Sequence, residues 1–328
     1  MSIIKEPKNF RFGRFKNNQT DHIRVGKAPA QGEAKAAMII VTGYRESIEK
    51  YFEVINEMTE RGVSVWIMDW YGQGGSTRFD KKDPLKMDSF DFDNHVTTLD
   101  VFVKKVKKEL SEGEKKPLIL MAHSMGGNIA TRYLHDYKNV FDAAVLTAPM
   151  FGLGMNFMMK KVSKALIEFA KTTGNLSSYV PGEKKSKKST DMYEGNELTS
   201  DKARHDAIRK IYVENPEIDM GGLTYRWLNE TFKSIKVVNQ PNYLEEIETP
   251  ILMQISGRDT VLDVDAQKAA AKRLPNCTQR YVAGTKHEIW YERDGFRVLM
   301  LDAFDKFLGD LLQKHSYNLK GPKNQSPQ

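Results

Sequence analysis

The sequence predicts an α/β protein: a mostly parallel central sheet flanked by helices, interrupted by one mainly helical insertion. Three observations carry this. Short apolar runs alternate with segments of helical spacing through the first 150 residues. The rhythm breaks after Pro149 and returns at Ile251. No apolar run approaches the ~20 residues that a membrane-crossing helix needs, so the runs read as buried strands.

Ala36–Thr42 is a nearly unbroken apolar run and reads as the first core strand. In Glu49–Arg61, Tyr51, Phe52, Ile55 and Met58 recur at helical spacing, and Gly62 follows as a stop. Val63–Met68 is the next strand. Phe92–Leu110 sets Val96, Leu99, Phe102, Val103, Val106 and Leu110 on one side of a helix and its Lys-Lys pairs on the other. Leu118–Ala122 is a strand, Met125–Asp136 a helix and Ala143–Thr147 a strand. After the insertion come a strand at Ile251–Ile255, a helix at Val264–Arg273, a strand at Gln279–Ala283 and a helix at Gly295–Leu312. The expected division is 1–150 for the first part of the core, 151–240 for an inserted cap and 241–315 for the second part of the core. The remainder, 316–328, is polar with two prolines and reads as a tail without fixed structure.

A chain of 328 residues, 40% apolar, can bury one large core and carry an insertion. Cys277 is the only cysteine. It cannot pair within the chain, and it stands in Leu-Pro-Asn-Cys-Thr, a turn before a strand, where it serves packing. The first sixteen residues contain no apolar stretch of the kind a secretory signal needs, so a cytoplasmic enzyme, peripheral to the membrane at most, is expected. Net charge is +7, and eight lysines against two glutamates lie between 151 and 190. Such a block could meet nucleic acid, an anionic membrane surface or an acidic substrate, or is only a wet surface. Lys184, Lys185, Lys187 and Lys188 fall in one expected loop, where they would act together at a membrane. Nucleic acid is not expected as a partner.

The chemistry centres on Ala122-His123-Ser124-Met125-Gly126-Gly127. A strand runs straight into this string and a helix straight out, the context of a nucleophile elbow. The turn is tight enough to demand small neighbours, and it holds a serine at a helix N-terminus where developing negative charge is favoured. A serine hydroxyl needs a base, and the base an orienting carboxylate, in the chain order Ser, acid, His. Asp259 follows one late strand and His287 the next, each on a loop at a strand's carboxyl end. Asp263 and Asp265 suit the first turn of the next helix, and Glu288 is a poorer orienter than Asp259. His123 points away from its neighbour and packs within the elbow. His95 reads as a cap or surface residue. No His, Cys and Asp cluster has metal-ligand spacing, so neither a metal nor another cofactor is expected. Two backbone N–H groups would form an oxyanion hole: that of Met125, and that of Tyr44 in the loop Thr42-Gly43-Tyr44-Arg45-Glu46-Ser47. The glycines of Asp69–Ser76 read as a structural turn.

Together these segments resemble the α/β-hydrolase superfamily, and within it the lysophospholipase and monoacylglycerol lipase branch, which is also serine aminopeptidase-like. The Lys286-His287-Glu288-Ile289 and Ala148-Pro149-Met150-Phe151-Gly152 strings look especially like bacterial lysophospholipases, over about residues 10 to 312. The chain departs at Thr42-Gly43, where the lipases carry His-Gly. The resemblance implies the α/β-hydrolase fold with a helical cap, and hydrolysis of a carboxylic ester of a monoacyl lipid through an acyl-enzyme on Ser124. The stripe from Met155 to Phe169 would then face an acyl chain, with Met155, Met158, Met159 and Val162 as candidate contacts, or would simply pack the cap onto the core. A peptidase or small-ester esterase on the same triad, and a non-catalytic binding protein of the same fold, remain the alternatives. A dehalogenase or epoxide hydrolase is disfavoured, because those carry Asp where this chain has Ser124.

Overall fold

The computed structural model describes residues 3–17, 21–111, 116–183 and 187–320. Its centre is an eight-stranded sheet made of β1 (Arg11–Lys16), β2 (His22–Ala28), β3 (Ala36–Val41), β4 (Val63–Met68), β5 (Leu118–His123), β6 (Ala143–Thr147), β7 (Ile251–Ser256) and β8 (Cys277–Val282). The spatial order is β1-β2-β4-β3-β5-β6-β7-β8. From β4 to β8 every pairing is parallel, while β2 runs antiparallel to both β1 and β4. β3 therefore has β4 on one side and β5 on the other, and the chain reverses its direction of growth there. A parallel sheet opens a crevice at such a point, outside the carboxyl ends of its strands.

Among the described residues eight α-helices accompany the sheet: α1 (Phe52–Glu60), α2 (Phe92–Leu110), α3 (Met125–Asp136), α4 (Phe157–Thr172), α5 (Lys202–Glu214), α6 (Tyr225–Val238), α7 (Val264–Arg273) and α8 (Asp294–Lys320). Successive β3 side chains alternate between two cores, which is why the strand is apolar throughout. Ala37, Ile39 and Val41 join Leu99 and Phe102 of α2, Ile129 and Tyr133 of α3, and Ala270 of α7. Ala36, Met38 and Ile40 join Ile55 and Met58 of α1 and Met300, Phe304 and Leu308 of α8. Asp91 caps α2 through a bond from Asn94 N–H, and Asp263 caps α7 through bonds from Asp265 and Ala266 N–H.

The hairpin of β1 and β2 has no counterpart in the sequence reading, because β1 buries only Phe15 and so shows little alternation. Helix α8 continues to Lys320, into the segment expected to lack structure. No glycine or proline occurs between Phe296 and Lys320 except Gly309, so nothing in the chain stops the helix sooner. His95 is neither cap nor surface. It is buried edge-on to Trp70, its Nε2 lies 3.1 Å from Ser89 Oγ, and burial pushes its imidazole down to about 4. Cys277 opens β8 partly buried, and that burial pushes its thiol up to about 11.

Candidate active site

Ser124 alone makes the turn between β5 and α3. Its backbone sits at φ 53° and ψ −118°, a conformation that costs a non-glycine residue about 1–3 kcal/mol. Close packing holds it there. A Cβ on Gly126 would stand 2.5 Å from the Thr42 carbonyl oxygen, and one on Gly127 would stand 2.7 Å from Pro149 Cβ. The Ser124 N–H donates to Thr147 O at 3.1 Å, and its carbonyl accepts from Met150 N–H at 3.0 Å. Every arm of the elbow is thus pinned to a neighbouring strand or loop.

The structure brings Ser124, His287 and Asp259 together across the carboxyl ends of β5, β7 and β8. His287 Nε2 lies 3.0 Å from Ser124 Oγ, and His287 Nδ1 lies 2.7 Å from Asp259 Oδ2. The Nδ1 proton points at the carboxylate, leaving Nε2 as an acceptor for the serine proton. The other Asp259 oxygen accepts from Val261 and Leu262 N–H at 2.9 and 3.0 Å. Burial disfavours the charge on both groups, but their mutual attraction outweighs it. The His287 imidazole is raised above its ordinary value, and the Asp259 carboxyl is held below its own.

His123 lies within the elbow, its Nδ1 3.0 Å from Thr147 O and its ring centroid 4.9 Å from that of His287. Burial pushes it down to about 4, so it stays neutral and adds no positive charge beside the base. The Tyr44 and Met125 N–H groups both belong to residues lining the site cavity, and neither has a protein acceptor among the described residues.

Sequence reasoning missed a buried ion network under these loops. Lys50, fully buried, donates to both Glu46 and, at 2.7 Å, Glu288. Glu46 in turn accepts from Gly43 N–H and from Tyr51 Oη. One ammonium therefore ties the loop after β3 to the residue beside His287. The i, i+4 spacing of Glu46 and Lys50 is the only trace of this in the sequence. The Asp69–Ser76 turn is built around another buried carboxylate: Asp69 accepts from Arg24 Nε, Ile48 N–H and Gly75 N–H.

A cavity of about 590 Å³ opens above Ser124. Met155 and Met159 line it, whereas Met158 and Val162 stand outside it, 65% and 50% exposed. Adjacent positions on a helix are turned by about 100°, so α4 cannot present the whole stripe to one cavity. The stripe does not pack onto the core either, because α4 buries only Ile167 and Ala170. Lys188, expected in a wet loop, is 6% exposed. Lys184 and Lys185 lie outside the described residues.

A mostly parallel sheet carrying a Ser, His and Asp constellation at the carboxyl ends of its strands defines an α/β-hydrolase of the serine type. Residues 32–294 match the family described as serine aminopeptidase, S33, and the chain belongs to that family. It is a serine ester hydrolase of the lysophospholipase- and monoacylglycerol lipase-like branch. It is 29% identical over 278 residues to a probable lysophospholipase L2 of Haemophilus influenzae, covering 85% of each chain. It is 28% identical to lysophospholipase L2 of Escherichia coli, covering 82% of this chain and 79% of that one. Its backbone also resembles a soluble variant of monoglyceride lipase from Saccharomyces cerevisiae, solved with a substrate analog. That match has a TM-score of 0.71 at 17% identity and covers 94% of this chain and 96% of that one, a likeness of fold.

Proposed function

We propose that the protein hydrolyses the carboxylic ester of a monoacyl lipid, a lysophospholipid first, with Ser124 as nucleophile, His287 as base and Asp259 as its orienting acid. The observation that carries the roles is the unbroken chain from Ser124 Oγ through His287 to Asp259. Ser124 Oγ attacks the acyl carbon while its proton passes to His287 Nε2. The carbonyl oxygen becomes an oxyanion and takes the Tyr44 and Met125 N–H bonds. Collapse breaks the ester bond, and the leaving alcohol takes the proton from His287. Water then repeats the sequence on the acyl-enzyme and releases the fatty acid. Support for a lipid comes from the relatives, whose names specify lysophospholipids, and from the apolar cavity wall formed by Leu153, Leu223, Trp227 and Leu228.

We read residues 151–240, which supply much of that wall, as a cap. Its helix α4 turns Phe157, Met158, Val162 and Phe169 outward, each at least 50% exposed, among Lys160, Lys161, Lys164 and Lys171. An exposed apolar face flanked by lysines fits peripheral contact with an anionic membrane. The deciding experiment for the chemistry is fluorophosphonate labelling. The wild-type protein takes one label, on Ser124. Undiminished labelling of a folded Ser124→Ala variant removes Ser124 from the nucleophile's role.

A further inference from the structure

Lys188 is a buried cation at the cavity wall whose ammonium has only long ionic contacts among the described residues. Its ammonium lies 3.6 Å from Asp191 and 3.8 Å from Glu288, and no acceptor among the described residues comes closer. Both carboxylates are already shared: Glu288 accepts from Lys50 at 2.7 Å, and Asp191 faces Arg45 Nη2 at 3.4 Å. Burial lowers the Lys188 pKa, as expected of an ammonium its neighbours hold only loosely. Arg45 is similarly underserved. Its Nη2 contacts are both at 3.4 Å, and its Nε is buried with no partner. The hydroxyl of Tyr44, whose ring packs on Trp227, is also buried and unpartnered among the described residues. Arg45 Nε and the Tyr44 hydroxyl can both donate, and buried donors without acceptors are costly.

Arg45, Lys188 and Glu288 are linked to one another directly or through Asp191, so they group in one part of the cavity lining, while apolar lining comes from Leu153, Met155, Leu223, Trp227, Leu228 and Leu262. A monoacyl lipid has the same division, with an ester between a chain and a polar head. We propose that Lys188, assisted by Arg45, is a headgroup subsite that takes the phosphodiester of a lysophospholipid and so favours it over a monoacylglycerol. This rests on the lipid-ester reading of the same cavity. A phosphodiester is acceptor-only and can take bonds from both cations at once. The cavity also carries Glu183 and Glu197, neither with a cation partner among the described residues, which suits a zwitterionic head.

The test compares kcat/KM for palmitoyl lysophosphatidylethanolamine and for monopalmitoylglycerol in wild type, K188M and K188R. The ratio of the two is expected to fall at least tenfold in K188M, mainly through KM for the phospholipid, and to recover largely in K188R. A structural role alone lowers both activities together, so an unmoved ratio in K188M overturns the subsite, as does failure of K188R to restore it. Glycerol 3-phosphate is expected to compete with p-nitrophenyl butyrate in wild type and less in K188M. Equal competition by inorganic phosphate identifies a free-phosphate site and overturns the headgroup assignment. If wild type cleaves p-nitrophenyl butyrate but neither lipid, the lipid reading itself fails. If it cleaves both lipids at a ratio that K188M leaves alone, only the subsite fails.

Discussion

At the scale of single residues, the base and its acid make sharp predictions. Alanine at His287 or Asp259 is expected to lower kcat by about 10⁴ or more, and the double variant by little more than the worse single one, because the three side chains act as a unit. Steady-state kinetics on a p-nitrophenyl ester checks both. The pH dependence follows from the sign of the shift. As the proposed base His287 acts in its neutral form, and Asp259 raises its pKa, so the acid limb of kcat/KM is expected above the ordinary imidazole value of about 6.5. In Asp259→Asn the residual activity is expected to shift that limb downward. For stability the same shift works in the opposite direction: the raised His287 pKa stabilises the fold fully below the unfolded-state value, and that contribution is lost as pH rises through the folded one. The three residues themselves were legible in the sequence because each follows a strand in a fixed chain order. Lys188 was not. Of its two ionic neighbours Asp191 is close in the chain but Glu288 comes from a distant loop, and a lysine-rich string reads as solvated whatever it meets in space.

At the scale of elements, the loop after β3 and the loop carrying His287 are joined by the Lys50 ammonium. Replacing Lys50 by Met leaves Glu46 and Glu288 buried without their main cation, a loss of about 3–5 kcal/mol. Urea denaturation is expected to show that loss, and an unchanged midpoint refutes it. Where the ordered elements carry apolar periodicity, as in α2 or β5, their boundaries were readable to within a residue or two. β1 was not readable, since it buries only Phe15 and its pairing with β2 leaves no alternation in its own side chains. Within α4 the composition was legible and the orientation was not. The apolar stripe spans more than one face, and only the packing against the rest of the chain decides which residues meet the cavity.

At the scale of the whole molecule, the outward face of α4 predicts how the enzyme meets its substrate. Changing Phe157, Met158 and Phe169 together to Ser is expected to weaken sedimentation with anionic vesicles and to slow hydrolysis of vesicle-borne lysolipid several-fold. Hydrolysis of a short-chain p-nitrophenyl ester in solution reports the state of the core, and an equal loss there refutes the membrane role. The same surface can be followed directly, because of Cys277. Burial pushes its thiol up to about 11, which disfavours the thiolate that alkylating dyes attack and slows its labelling relative to an exposed cysteine. The protein is therefore already a quiet background for site-specific labelling. A cysteine placed at position 158 would be its sole fast-reacting thiol, and an environment-sensitive fluorophore there would read the depth of α4 in a bilayer without any prior removal of a native residue.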